Sequence, residues 1–123
     1  MGMIEDDLRI LLADEIEADV YSRYYPAGMP ECVVVQEIGG RSSRAGIRRT
    51  YHLISIMGVS SDKETAGKIM RQARDALVRS LPFKAGTVHY YTAVPQADGS
   101  LLYKVPNGPK YVEYVDIEVG CSI

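Results

Sequence analysis

The sequence predicts an α+β fold, a mostly antiparallel sheet of four to five strands with two helices packed on it, in the order α-β-β-α-β-β-β. Apolar residues recur at helical spacing in two separate segments, and β-branched runs fill the chain between and after them. Glycine and proline clusters separate these runs. The composition is that of an ordinary globular protein, with 46% hydrophobic and 24% charged residues, and it shows no linker. We therefore expect residues 1–123 to form a single domain.

Two amphipathic helices are predicted. The first covers residues 3–18, where the apolar positions are Ile4, Leu8, Leu11, Leu12 and Ile16. The second covers about 62–79, and its apolar positions are Ala66, Ile69, Met70, Ala73 and Leu77. Ser61 followed by Glu64 has the pattern of a capping box at its start, and Pro82 prevents its continuation. This second helix should lie across the sheet.

Two strands are predicted between the helices. A β-branched run over 32–38 ends at Gly39-Gly40, and a second run extends from about residue 48 to Gly58. The residues between them, 39–46, are too polar for a core and are predicted to form a long hairpin loop. The two strands should therefore be antiparallel neighbours. The tyrosine-rich stretch before them, 21–30, is predicted to be a loop.

The last third of the chain is predicted to hold three strands. Residues 87–94 form the first, and Ala97-Asp98-Gly99 has the composition of a tight turn. Residues 101–105 would then pair back, and a proline and glycine turn over 106–109 leads into the final strand at 111–119. Apolar and polar residues alternate in that final strand, which predicts one buried and one wet face.

Charge is segregated along the chain, although the net charge is only −2. Residues 1–31 carry eight acids against two arginines, whereas residues 32–110 carry twelve lysines and arginines against five acids. The basic cluster that draws attention is Arg41, Arg44, Arg48 and Arg49, on or beside the predicted loop. Such a cluster suits phosphates, carboxylates of a neighbouring subunit, or simple solvation. The candidate acidic partners are Asp14, Glu15 and Glu17.

No catalytic constellation, metal or cofactor is predicted. His52 and His89 fall inside predicted strands, and no neighbouring serine or cysteine suggests a catalytic triad with either of them. A zinc site formed by these histidines with Cys32 and Cys121 would lack the local ligand spacing of known zinc sites. Gly39-Gly40 is followed by no phosphate-binding motif. Both cysteines are expected to be buried thiols in a reducing cytosol, although the sequence leaves a disulfide open. No apolar run is long enough to span a bilayer and no signal peptide is evident, so we expect a soluble product.

With these elements in order, the chain resembles the small tail-terminator (tail completion, or minor capsid) proteins of long-tailed bacteriophages and prophages. The resemblance lies in the first helix, in the stretch Val33 to Gly40 leading into a loop, and in the strand Tyr51 to Gly58 followed at once by a helix. That helix has the pattern Ala66-Gly67-Lys68-Ile69 and Ala76-Leu77, and the ending fits in Asp98-Gly99-Ser100 and then in Tyr111 to Val119. The basic loop and the segment around Tyr24-Tyr25 have no match in the family.

The resemblance implies a structural subunit and not an enzyme. It would form a homo-oligomer, a hexameric ring that terminates the tail tube and presents a surface to the head connector. Its location would be the virion, after assembly in the cytoplasm of the bacterial host, and DNA would pass through in transient contact. The alternatives are another phage neck or tail subunit, such as a head-closure or tail-tube protein, or a non-specific nucleic-acid-binding module that uses Arg41 to Arg49. Neither a membrane nor a small-molecule substrate is implied.

Overall fold

A computed structural model describes residues 3–42 and 49–122 of the chain. These residues form two helices and six strands. In chain order they are α1 (Met3–Glu15), β1 (Val20–Ser22), β2 (Cys32–Ser42), β3 (Arg49–Ser60), α2 (Lys63–Ser80), β4 (Phe83–Ala85), β5 (Val88–Val105) and β6 (Gly108–Ser122). The α+β class and the two helices are confirmed, and α1 ends three residues before the predicted end at residue 18.

The six strands form one mixed, curled sheet in the order β1-β2-β3-β6-β5-β4. The β1–β2 pair is parallel, and every other pair is antiparallel. The predicted number of four to five strands was therefore too low, and the order of elements is α-β-β-β-α-β-β-β. The missing strands, β1 and β4, have three residues each at the two edges of the sheet. Three residues are too few to show an alternation of polarity in the sequence.

Two predictions based on glycine residues, a strand end at Gly39-Gly40 and a turn at Gly99, are wrong. Gly39-Gly40 does not end β2, because the strand continues to Ser42 and accommodates a β-bulge between Glu37 and Gly39. The predicted tight turn at residues 97–99 is likewise wrong, since β5 runs through it to Val105. A Cβ on Gly99 would lie 2.6 Å from the ring carbon of Tyr114 that bears the hydroxyl, so this glycine admits a cross-strand aromatic ring.

Both helices pack on one face of the sheet and form the main core with it. The predicted stripe of α2 is buried, including Ile69, Met70 and Leu77, against strand residues such as Ile56 and Ile117. The helix ends at Ser80, before Pro82 as expected. Its N-cap is Asp62 and not Ser61, because the Asp62 carboxylate accepts a hydrogen bond from the Thr65 backbone N–H at 3.1 Å.

The opposite face of the sheet is covered along only part of its length. There the loop before β2 places Met29 over Cys32, Val34 and Val59, which form a second small core. The ring of Tyr25 in this loop lies 5.5 Å from the ring of Tyr103 near the tip of the β5–β6 hairpin. The tyrosine-rich segment is thus a cover for the curled part of the sheet, and its first residues form β1.

Candidate interaction surfaces

Three of the N-terminal acids bind groups within the chain. Glu5, which is 6% exposed, accepts hydrogen bonds from Arg23 Nε at 3.1 Å and from the Glu37 backbone N–H at 2.8 Å. Asp6 accepts from Arg23 Nη2 at 2.9 Å, and Asp7 accepts from the buried Tyr90 hydroxyl at 2.5 Å. The negative charge of Asp6, and then the hydrogen bond that Arg23 donates to Glu5, raise the pKa of the Arg23 guanidinium. These acids hold α1 on the sheet, and the free acidic surface is smaller than the sequence suggested.

The acids predicted to meet a neighbouring subunit lie at the end of α1 and just beyond it. Asp14, Glu15 and Glu17 are all exposed. The Glu15 carboxylate lies 3.8 Å from Arg79 Nη2 of the same chain, and both of these side chains are open to solvent. An ion pair this exposed contributes little to stability, so Glu15 remains available to another arginine.

Two positions of the predicted basic cluster, Arg41 and Arg49, lie at the end of the described β2–β3 pairing. Arg41 is the second-last residue of β2 and Arg49 is the first residue of β3. Because the two strands are antiparallel neighbours, the backbone brings these two positions to the same end of the sheet. Arg44 and Arg48 lie outside the described residues. Whether the cluster meets Asp14, Glu15 or Glu17 of a neighbour therefore stays a prediction.

One polar chain of side chains was not foreseen. His52 Nδ1 is hydrogen-bonded to the Glu37 carboxylate, and its Nε2 lies 3.1 Å from Thr50 Oγ1. Cys121 Sγ lies 3.3 Å from the same hydroxyl. Thr50 and His52 are two residues apart on one strand, which the sequence shows, but Glu37 reaches them only through the β2–β3 register. The contact between Glu37 and His52 could have been predicted from the sequence only if the β2–β3 register had already been known.

The order hydroxyl, imidazole, carboxylate is that of a nucleophilic triad, yet catalysis also needs a cleft that holds a substrate. Thr50, His52 and Glu37 do not line the cavities beside the start of α2, beside the end of α1, on the β3–β6 face or beside Pro82. The cluster links β2, β3 and β6 on the helix-bearing face of the sheet, where it satisfies half-buried polar groups.

The residues considered for zinc are not brought together. Cys32 and Cys121 are both free and buried, but they belong to the cores on opposite faces of the sheet. His89 stacks on Tyr91 with ring centroids 6.0 Å apart. Among residues 3–42 and 49–122, no group of three or more His, Cys, Asp or Glu side chains could hold a metal ion. Burial raises the pKa of the Cys32 thiol to about 11, which makes it a poor nucleophile near neutral pH.

A polar cavity of about 560 Å³ lies beside the start of α2. Its charged lining residues are Asp62, Lys63, Glu64, Lys68, Arg71 and Glu113. Glu113 Oε2 is buried and has no hydrogen-bond partner among the described residues. Because three acids face three bases, the lining selects neither an anion nor a cation.

Both flanks of the sheet have strand edges that are only partly covered. β4 pairs with β5 only at residues 88–90, and β1 pairs with β2 only at residues 33–35. Among the described residues no strand pairs with the outer edge of β5 over 92–105, or with that of β2 over 38–42. We call these the β5 edge and the β2 edge. Their large exposed apolar residues are Ile38 (47%), Val94 (51%), Leu101 (43%), Leu102 (53%) and Tyr103 (37%).

Partly covered strand edges with apolar side chains are typical of surfaces that bind another chain.

No protein-family model matches this sequence, and no curated protein sequence matches it. Neither described helix has the length and apolar character needed to cross a lipid bilayer.

Proposed function

We propose that this protein is a structural subunit of a bacteriophage particle, which assembles into a ring that terminates the tail tube and joins the tail to the head. The observation that carries the proposal is the pair of open edges on opposite flanks of one sheet. A closed ring needs two different, complementary surfaces on each subunit, and one chain here offers both. The resemblance to tail-terminator proteins supports the same class of function.

The ring is proposed to be a hexamer whose partners are the tail-tube and head-connector proteins. The subunit has no catalytic role in this proposal, and no cofactor. Tyrosine and aliphatic side chains at the edges supply most of the contact area, because tyrosine is enriched at interfaces. Exposed charges contribute less and are screened by salt.

The charge pairing is proposed between the basic cluster of one subunit and the acids at the end of α1 in the next. The test is the double variant Arg48→Glu with Arg49→Glu, compared with wild type by analytical ultracentrifugation at low and high salt, with and without tail tube. Lys68→Glu with Arg71→Glu is the matched control, since both residues are exposed on α2 and the change in net charge is the same. We expect only the Arg48/Arg49 variant to lose assembly at low salt.

The outcomes separate the functions considered. A wild-type protein that stays monomeric in every condition, even with tail tube present, would exclude the ring. If the Arg48/Arg49 variant assembles as well as wild type does, the proposed ring stands but the proposed charge pairing is excluded. Binding of wild type to arbitrary DNA, weakening steeply with salt, would favour the nucleic-acid-binding alternative.

A further inference from the structure

We propose that the face of the sheet opposite the helices binds a single-stranded nucleic acid near the end of β6. The inference goes beyond the proposed ring and does not depend on it. The residues that carry it lie in two adjacent rows that cross the strands, which we call the end rows. The first row is Arg49, Ser122, His89 and Lys84, and the second is Arg41, Tyr51, Gly120 and Thr92.

The end rows lie on the open part of this face. Paired residues on neighbouring strands share a face of a sheet, and alternate residues along a strand lie on opposite faces. Lys84 and His89 are therefore on the face opposite to Phe83 and Tyr90, which pack in the main core. The second small core covers the other end of this face. Lys84 is exposed, and Tyr91 beside the rows is 42% exposed.

Three aromatic rings on the end rows or beside them form a surface on which bases can stack. Tyr91 is the extra residue of a β-bulge in β5, and its ring is stacked with that of His89 at 6.0 Å between centroids. The ring of Tyr51 lies across β6, since a Cβ on Gly120 would be 3.2 Å from Tyr51 Cε1. Each base has a π-face, so rings spread over neighbouring strands bind a single strand with little sequence preference.

Basic residues stand at the two ends of the first row. Lys84 is on β4 and the position of Arg49 is on β3, which are three strand spacings, or about 14 Å, apart. A cavity of about 260 Å³ adjoins the β4 end, and its lining includes Pro82, Lys84, His89 and Tyr91. The Lys84 ammonium can bind a phosphate there while a base stacks on Tyr91.

Acids on the same face determine how the strand lies. Glu118 is in the row after the end rows, and Asp116 is in the row after that. Their charges repel phosphates along β6, so the nucleic acid crosses the strands along the end rows. A duplex keeps its bases stacked inside, which leaves the rings without a partner, and its second backbone would approach these acids. Binding should therefore favour a single strand over a duplex.

The test is binding of the full chain to a fluorescently labelled oligothymidylate of about 20 nucleotides, followed by anisotropy between about 50 and 200 mM salt. Tyr91→Ala should weaken binding by about 5- to 100-fold, whereas Tyr91→Phe keeps the ring and should bind as wild type does. Lys84→Gln should lower the slope of log K against log salt by about 0.7, the value for one phosphate contact on a single strand.

Two matched variants control for the loss of a tyrosine and of a lysine elsewhere. Tyr24→Ala removes a ring that is 78% exposed just after β1, at the other flank of the sheet. Lys68→Gln removes a lysine that is exposed on α2, on the helix-bearing face. Both variants should bind oligothymidylate as wild type does.

No binding by wild type at the lowest salt, or binding by Tyr91→Ala and Lys84→Gln that equals wild type, would overturn the proposal. A duplex of the same length that binds as tightly would favour instead the nucleic-acid-binding alternative that uses Arg41 to Arg49. If polyglutamate displaces the oligothymidylate at the same concentration of charge, the surface binds an acidic polypeptide and the rings have no role. None of these results changes whether the subunits sediment as a ring, so failure of this inference and failure of the ring are distinguishable.

Discussion

Gly58 is the position where α2 approaches the sheet most closely, and replacing it by alanine should be severely destabilising. A Cβ on Gly58 would lie 2.1 Å from the Ala66 carbonyl oxygen and 2.9 Å from both Ile69 Cγ1 and the Met70 nitrogen. Ordinary contacts begin at 3.4 Å, so the helix would have to retreat by about 1.3 Å. The obstacle is backbone, which no change of rotamer can remove.

The cost follows from what such a retreat does to the core. Overpacking typically costs about 1–3 kcal/mol, and a gap of roughly 1 Å forfeits up to about half of each dispersion contact it opens. Because α2 buries seven residues, we expect Gly58→Ala to lower the free energy of unfolding by about 3 kcal/mol or more. Urea unfolding followed by circular dichroism should show a lower midpoint at an unchanged slope.

Gly39→Ala is the matched control, since a Cβ there would be 3.8 Å from Leu53 Cβ, an ordinary contact. That variant should change the free energy of unfolding by less than about 1 kcal/mol. Trimming Ile69 to alanine in the Gly58→Ala background should not restore stability, because the closest obstacle is the Ala66 carbonyl. A Gly58→Ala protein as stable as wild type would refute the placement of α2 against β3.

Other perturbations test the core, the cap and the buried thiol. Ile69→Ala should cost about 2–5 kcal/mol by urea unfolding, through the cavity left under α2, and a loss below about half a kcal/mol would place the wrong face inside. Asp62→Ala should cost about 1 kcal/mol by removing the acceptor for the Thr65 N–H, whereas Asp62→Asn should retain most of it. The pKa of Cys32 is raised from 9.0 to about 11, so the folded state keeps a proton that the unfolded chain loses. This contribution to the free energy of unfolding is fully present below about pH 9 and is lost as the pH rises to about 11. Cys32→Ala should therefore make the loss of stability between these pH values shallower. A variant whose free energy of unfolding falls as steeply with pH as that of wild type would contradict the prediction. Metal analysis of protein purified without added metal should find no stoichiometric zinc, and one zinc per chain would contradict the predicted absence of a site.

Long-range periodicity predicted the elements well, and short-range turn signals predicted them poorly. The stripe of α2 recurs over about three turns and is confirmed residue by residue. Asp98-Gly99 has the composition of a turn, but pairing with β6 on one side keeps the strand continuous, and the glycine accommodates the ring of Tyr114. Cross-strand pairing thus overrode a local preference that the sequence expressed clearly.

The interaction surfaces were only partly predictable for a related reason. Charge counts identify Asp14, Glu15 and Glu17, but they cannot show that Glu5 and Asp6 are bound by Arg23, which depends on where β1 brings the chain. Open edges are a property of the order of strands in the sheet. That order follows from pairings between distant segments, such as Thr50 with Cys121, and no local pattern encodes them.

The position of β6 has a consequence for the timing of biosynthesis. This strand is the last of the described elements in chain order, yet it lies between β3 and β5 in the middle of the sheet. While a ribosome is still translating residues before Gly108, β3 and β5 have no strand to join them, and the continuous sheet does not exist. Contacts of such long sequence separation form slowly. A nascent chain therefore acquires the complete six-stranded sheet, with both of its flanks in place, only after β6 has left the exit tunnel.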